Sequence, residues 1–361
     1  MTSQNPVPRK KSIKKWFRCF QYLLAFAILW LIWGKLGKAW DQIQSAEYVL
    51  QLNWFWLAAG GFFYAFSLPF PASYWYCALR HLGQKPTWRS TVRAHLVGHL
   101  GKYVPGKIFV VLIRSGLLKG PNVDTTVCVL SIFLEGLMQM AVGALVVAGL
   151  ILFWSTQLED SRFLWGSLIL FAMVGLPIMP PIFKLGVKII GVKKFSEEVR
   201  KVDQLSWRTF LFGVPLMVSY WLLLGLSLWC VLLGIGLELP FLGTYPVSLL
   251  AITASMTAGF VFVVAPGGMG VREMIILMLL APLLKEFTNV PEGAALVSAC
   301  VLRILWIAAE MICAGFVYFG LPGPEISLTA DDESGVKVND SMSLESRAVP
   351  ETEGEGQGES R

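Results

Sequence analysis

Charge is scarce in this chain. Only 15% of its 361 residues are Asp, Glu, Lys or Arg, against roughly 25% in a typical soluble domain. A chain of this length folding in water needs polar outer faces for one to three domains, and this composition does not supply them. Histidine is nearly absent, with three residues. The six cysteines (Cys19, Cys77, Cys128, Cys230, Cys300 and Cys313) form no CxxC and lie in or beside apolar segments. A disulfide framework and a zinc module are therefore not implied, and packing is the expected role. HExxH, Walker A, GxSxG and dinucleotide signatures are all missing. GGMGVR (267–272) does not read as a phosphate loop, because membrane-type segments flank it rather than a βαβ unit. Neither a cofactor nor a metal is expected.

Apolar residues are what the chain has, at 55% of the total, with 14 Trp, 23 Phe and 9 Tyr. Mean hydropathy is +0.61. The aromatics suit the belts that form at bilayer interfaces. The sequence predicts an integral membrane protein of the all-α, polytopic class.

The net charge of +6 hides a division. Residues 321–361 hold ten acids against Lys337, Arg347 and Arg361, a net −7, which leaves +13 over residues 1–320. Basic residues there fall between apolar runs, so they read as topological signals and not as a nucleic-acid footprint. Residues 1–18 carry Arg9, Lys10, Lys11, Lys14, Lys15 and Arg18 and no acid. They read as a basic cytoplasmic N-terminus before a first membrane helix over 19–36. The tail 321–361, rich in Gly, Ser and Glu, has too little apolar surface to fold alone. It reads as a disordered cytoplasmic tail, with 19–320 as the membrane domain between the two.

Further apolar runs lie at 54–79, 125–153, 163–183, 209–237, 246–265, 268–284 and 294–319. Most approach the roughly 20 residues that cross a hydrocarbon core, giving about eight transmembrane helices. The segments 80–93 and 184–208 are basic and read as cytoplasmic; 154–162 and 238–245 read as external. The run 94–118 is different. It holds His95, His99, Lys102, Lys107 and Arg114 around Pro105-Gly106. The loop assignments agree only if it enters and leaves on the cytoplasmic side, as a re-entrant hairpin broken at Pro105-Gly106. Irregular backbone at that depth requires a protein or water-filled surround. The region 246–284, broken at Pro266-Gly267-Gly268, is its counterpart from outside. Helix, broken hairpin and helix then occur twice with opposite topology. Such an inverted repeat points to a binding site near the midplane, and half-helix N-termini at the breaks suit an anion.

Few charges lie within the apolar runs: Glu135, Arg303 and Glu310 in long helices, Arg114 in the first hairpin, Arg272 and Glu273 in the second. Charges in the bilayer are costly and default to function. At 1.5 Å per residue, Glu135 lies about 15 Å and Arg303 about 14 Å into their helices from opposite sides, which predicts that they meet. Glu310 follows Arg303 by seven residues, on nearly the same face. Glu135, Arg303 and Glu310 are therefore candidates for an intramembrane polar path, although a buried structural ion pair explains them equally well. Arg272 either clamps a phosphate bidentately or neutralises Glu273. Lys102, Lys107 and Arg114 suit an anionic lipid or act as snorkelling anchors. His95 and His99, four apart, have too few companion ligands for a metal site. Candidates for head-group binding are thus Lys102, Pro105, Gly106, Lys107, Arg114, Pro266, Gly267, Gly268, Gly270, Arg272 and Glu273.

GHLGKYVPGKIFVVLIR (98–114), Glu135 in the following helix, APGGMGVRE (265–273) and a last helix with Arg303 and Glu310 together resemble the lysylphosphatidylglycerol synthase transmembrane family. The resemblance runs over residues 15–320. It implies a multi-pass protein of the bacterial plasma membrane with both termini cytoplasmic. It also implies lipid head-group recognition and lipid transfer between leaflets. Membrane lipid is the expected substrate, a lipid-synthesis enzyme is a candidate partner, and no nucleic acid is expected. Bifunctional members of that family carry a large soluble aminoacyl-transferase domain where this sequence has its acidic tail, so lysyl transfer is not expected here. The rival class is a membrane-embedded enzyme, or an accessory subunit, for lipid-linked glycosyl or aminoacyl transfer. An enzyme should bring paired carboxylates or a nucleophile–base pair to one depth.

Overall fold

Asn53 starts the first described helix by accepting a hydrogen bond from the Phe55 N–H through its side chain, as N-cap residues do. In the computed structural model the described residues are 51–103, 108–118, 122–155, 207–261 and 270–320, with isolated positions between 165 and 185. The expected first helix 19–36, most of the run 163–183, the basic N-terminus and the acidic tail lie outside them. So do Pro105, Gly106, Lys107, Pro266, Gly267 and Gly268.

Helix α1 is Trp54–Ser67 and α2 is Pro69–His81. The sequence reads this stretch as one helix, and the structure divides it at Leu68. Pro69 has no N–H to donate and is suited to a first helical position, so the chain restarts there. Helix α3 is Trp88–His99, capped by the Thr87 side chain on the Ser90 N–H. A short 3-10 turn, Leu100–Tyr103, continues it. Helix α4 is Ile108–Leu118, α5 is Thr125–Ser155 and α6 is Trp207–Gly234. Helix α7 is Phe241–Val261, α8 is Val271–Leu284 and α9 is Pro291–Gly320.

Among the described residues five stretches are long and apolar enough to cross a membrane: Trp54–His81, Thr125–Phe153, Trp207–Gly234, Phe241–Phe260 and Pro291–Gly320. At 1.5 Å per residue the 28 residues of α6 span about 42 Å, ample for a hydrocarbon core of about 30 Å. Helices α3 and α4, with 12 and 11 residues, reach only about 16–18 Å each. The protein is thus all-α and polytopic, as the hydropathy pattern implies.

Glycines show how the short helices pair. A Cβ on Gly98 would run into Arg114 Cγ, and one on Gly101 would meet Val110 N at 2.9 Å. Residue numbers fall on one strand of the chain as they rise on the other, so α3 with its 3-10 turn runs antiparallel to α4. Likewise a Cβ on Gly259 of α7 would meet Arg272 Cγ of α8 at 2.8 Å. In each case an arginine side chain from the second helix lies where the first helix has a glycine.

Large aromatic side chains fill the interior. Trp75, Trp221, Tyr64, Tyr74 and Tyr220 are fully buried. Indole N–H groups are matched to partners at helix crossings: Trp75 Nε1 donates to Ser131 Oγ, Trp221 Nε1 to the Gln139 carbonyl, and Trp306 Nε1 to Ser227 Oγ. A buried indole N–H left unpaired costs about 1–3 kcal/mol, so these contacts fix helix register as well as separation. Phe62, Phe66, Leu152, Phe153, Ile312, Phe316 and Phe319 are exposed along the long helices. Apolar surface on that scale is a liability in water and a solvation shell in lipid.

Candidate functional site

Two carboxylates lie fully buried on helices that cross the interior. Glu310, on α9, is only 1% exposed. Its Oε1 accepts from Lys102 Nζ at 2.5 Å and from the Tyr64 hydroxyl, and its Oε2 accepts from the Tyr103 hydroxyl at 2.9 Å. His99 Nε2 stands 3.7 Å from Oε1. Trp306, one turn before Glu310, stacks on the Tyr64 ring at 4.3 Å and holds its hydroxyl on target. Donors thus converge on one carboxylate from α1 and from the 3-10 turn, with His99 at the end of α3 beside them.

Glu135, on α5, receives Arg114 Nη1 on Oε2 at 2.6 Å, and His95 Nε2 lies 3.4 Å from Oε1. The Arg114 and Glu135 side chains are 5% and 4% exposed. Arg114 also lies over the Trp75 ring at 5.5 Å, a favourable position for a cation. The two carboxylate centres are joined through α3. His95 and His99 are one turn apart and their rings stack at 5.8 Å.

The third group lies at the start of α8. Gly270 has φ +88°, a conformation glycine adopts without a steric penalty. Its N–H donates to Glu273 Oε2 at 2.6 Å, closing the helix N-terminus. Glu273 Oε1 in turn receives Arg303 Nη1 of α9 at 2.7 Å. Arg272 is different. Among the described residues no carboxylate reaches it within ion-pair distance, and its buried Nε has no hydrogen-bond partner. Lys102, Arg272 and Arg303 nevertheless lie within electrostatic reach of one another, so the first hairpin, the second hairpin and α9 share one charged interior.

These geometries revise the pairings expected from depth. Glu135 and Arg303 do not pair: Glu135 belongs with Arg114 and His95, and Arg303 belongs with Glu273. Depth along a helix axis does not specify which face a side chain takes or which neighbour it meets. Glu273 is neutralised by Arg303 across a helix interface and not by the adjacent Arg272. Lys102 and Glu310 meet although 208 residues separate them. Of the remaining candidates, Gly270 is the N-cap of α8, and Pro105, Gly106, Lys107, Pro266, Gly267 and Gly268 fall outside the described residues. Four polar residues escaped the sequence reading of this site: Tyr64, Tyr103 and, except as metal ligands, His95 and His99. The signal for three of them is a 3–4 residue spacing, since His95, His99 and Tyr103 follow one another by four.

A polytopic, all-helical fold with charges gathered inside, and a lipid-facing apolar exterior, defines a flippase-like membrane protein. The family model for the lysylphosphatidylglycerol synthase TM region matches residues 19–312, and the chain belongs to that family. The family is a lipid-translocating membrane domain, and its members' location is the bacterial inner membrane, crossed many times. No curated protein matches the chain.

Proposed function

We propose that this protein binds a lipid through an anionic, phosphate-bearing head group and carries it between leaflets, the two hairpins giving access from opposite sides. Arg272 is the observation that carries the reading. A guanidinium with a buried, unpartnered Nε, beside a glutamate already held by Arg303 and by the Gly270 N–H, keeps that N–H for a ligand. Arginine presents donors in a fork that matches phosphate. Lys102 and Arg303 supply further positive charge, and Glu135, Arg114 and Glu310 line the polar path.

Helix contacts favour an inverted repeat. Let α1–α2, α3, α4 and α5 correspond to α6, α7, α8 and α9. Then α3 packing on α9 has its counterpart in α7 packing on α5, and α9 on α1 has its counterpart in α5 on α6. The glycine–arginine contacts, Gly98 with Arg114 and Gly259 with Arg272, match as well. The acid that serves Arg114 is Glu135 of α5; on α9 the residue at the comparable depth is Arg303. The second repeat thus sets a basic residue where the first has an acid, and the surplus suits an anion. With α8 and the helices expected over 19–36 and 163–183 added to the five membrane-length stretches, the count reaches about eight, with both termini cytoplasmic.

Liposomes reconstituted with Arg272→Ala or Arg303→Ala are expected to lose translocation of a labelled phosphatidylglycerol; purified Arg272→Ala keeps wild-type melting in detergent, and Arg303→Ala, which strands Glu273, melts lower but still cooperatively. Wild-type translocation in either variant overturns its assigned role.

A further inference from the structure

Lys102 is the cation that neutralises Glu310, and it also belongs to the basic set expected to meet a lipid phosphate. A phosphate and Glu310 therefore compete for the charge of one ammonium. The Lys102 side chain is 29% exposed, whereas Glu310 is 1% exposed, so the ammonium is the partner free to move. Once it leaves, Glu310 keeps two neutral tyrosine hydroxyls and a buried, uncompensated negative charge.

A route for a proton is present. His99 Nε2 is 3.7 Å from Glu310 Oε1, and its side chain is 21% exposed, so a partly exposed imidazole stands beside the carboxylate. Behind it the ring of His95 stacks at 5.8 Å. His95 is buried, faces Glu135 through Nε2, and has no hydrogen-bond partner at Nδ1. With the Nε2–H given to Glu135, Nδ1 is an acceptor with no donor.

We propose that Glu310 is a proton-binding site linked to the lipid site: an anionic head group draws Lys102 away, and a proton entering through His99 replaces the ammonium on Glu310 Oε1. Water supplies the proton, no covalent bond to carbon or phosphorus changes, and release of the lipid returns Lys102 and expels the proton. The other charged and titratable groups around the site fit this exchange. Tyr64 from α1 and Tyr103 from the 3-10 turn donate to Glu310 and remain neutral. Tyr220 from α6 and Arg272 from α8 lie within electrostatic range, Arg303 shares α9, and Glu273 is occupied by Arg303. Around Glu135, Arg114 from α4 already supplies the counter-charge, and Tyr74 from α2 is the other titratable neighbour. Glu310 is therefore the carboxylate that loses its cation when the lipid binds.

This inference rests on the lipid reading, and one experiment separates the two. Full-length protein in weakly buffered neutral detergent is titrated with phosphatidylglycerol, with a pH-sensitive dye reporting protons and native mass spectrometry reporting bound lipid. Wild type is expected to take up about one proton per lipid bound, as linkage between the two sites requires. Glu310→Gln is expected to take up none per lipid bound. His99→Gln is expected to keep the stoichiometry at equilibrium but to abolish the acceleration of lipid movement by an imposed pH gradient in liposomes. Lipid binding by wild type without proton uptake overturns the inference, as does equal uptake by Glu310→Gln. If Glu310→Gln does not fold, His99→Gln decides: a full response to the gradient overturns the route. No lipid binding by wild type overturns the lipid reading itself.

Discussion

Arg114 and Glu135 illustrate how differently one charge behaves alone and in company. Each side chain is at least 95% buried, and each is the other's counter-ion at 2.6 Å. Removing one partner leaves an ion stranded, at about 3–5 kcal/mol, while replacing both with apolar groups is often neutral. Arg114→Leu and Glu135→Leu are therefore expected each to lower the melting temperature in detergent sharply, and the double Leu variant to recover most of the loss. A double variant no more stable than either single one would remove the pair as the cause. The Tyr64–Trp306 stack contributes at the same scale, about 0.5–1.5 kcal/mol beyond area burial, and keeps the Tyr64 hydroxyl on Glu310.

At the scale of an element, the first hairpin depends on backbone approaching backbone. A Cβ on Gly101 would stand 2.9–3.0 Å from main-chain atoms of Phe109 and Val110. Those atoms cannot rotate away as a side chain can. Gly101→Ala is expected to force the two arms apart, destabilising the protein by about 1–3 kcal/mol and displacing Lys102 from Glu310. Gly116, within α4, has open space around its Cβ position. Gly116→Ala is expected to be neutral or stabilising by up to about 1 kcal/mol, from helix propensity. Thermal melting of the two purified variants tests both outcomes, and equal destabilisation would remove close packing as the explanation for Gly101. The division between α1 and α2 is likewise local in origin, set by Pro69.

For the whole molecule, the proposed inverted repeat makes a directional prediction. Single cysteines placed over 100–110 are expected to react with a membrane-impermeant reagent from the cytoplasmic side, and those over 264–272 from the outside. The background must first lose its native thiols, of which Cys300 is exposed. Labelling of both regions from one side only would sink the opposed hairpins. The same arrangement explains why α9 is central: it contacts α1, α3, α6 and α8, and so it brings Arg303 to the second hairpin and Glu310 to the first.

Membrane class, helical character and the identity of the rare interior charges were legible in the sequence, because a bilayer imposes a length and an apolar composition on each crossing segment. The motifs around 98–114 and 265–273 also sufficed to place the chain in its family. Partners were not legible. Lys102 with Glu310, Arg303 with Glu273 and His95 with Glu135 join residues 30 to 208 positions apart, and only helix packing decides which faces meet. Periodicity locates a charge along an axis, but rotation about that axis and the crossing of neighbouring helices choose its counter-ion. Among the described residues that choice leaves Arg272 without an acid and puts Lys102 on Glu310.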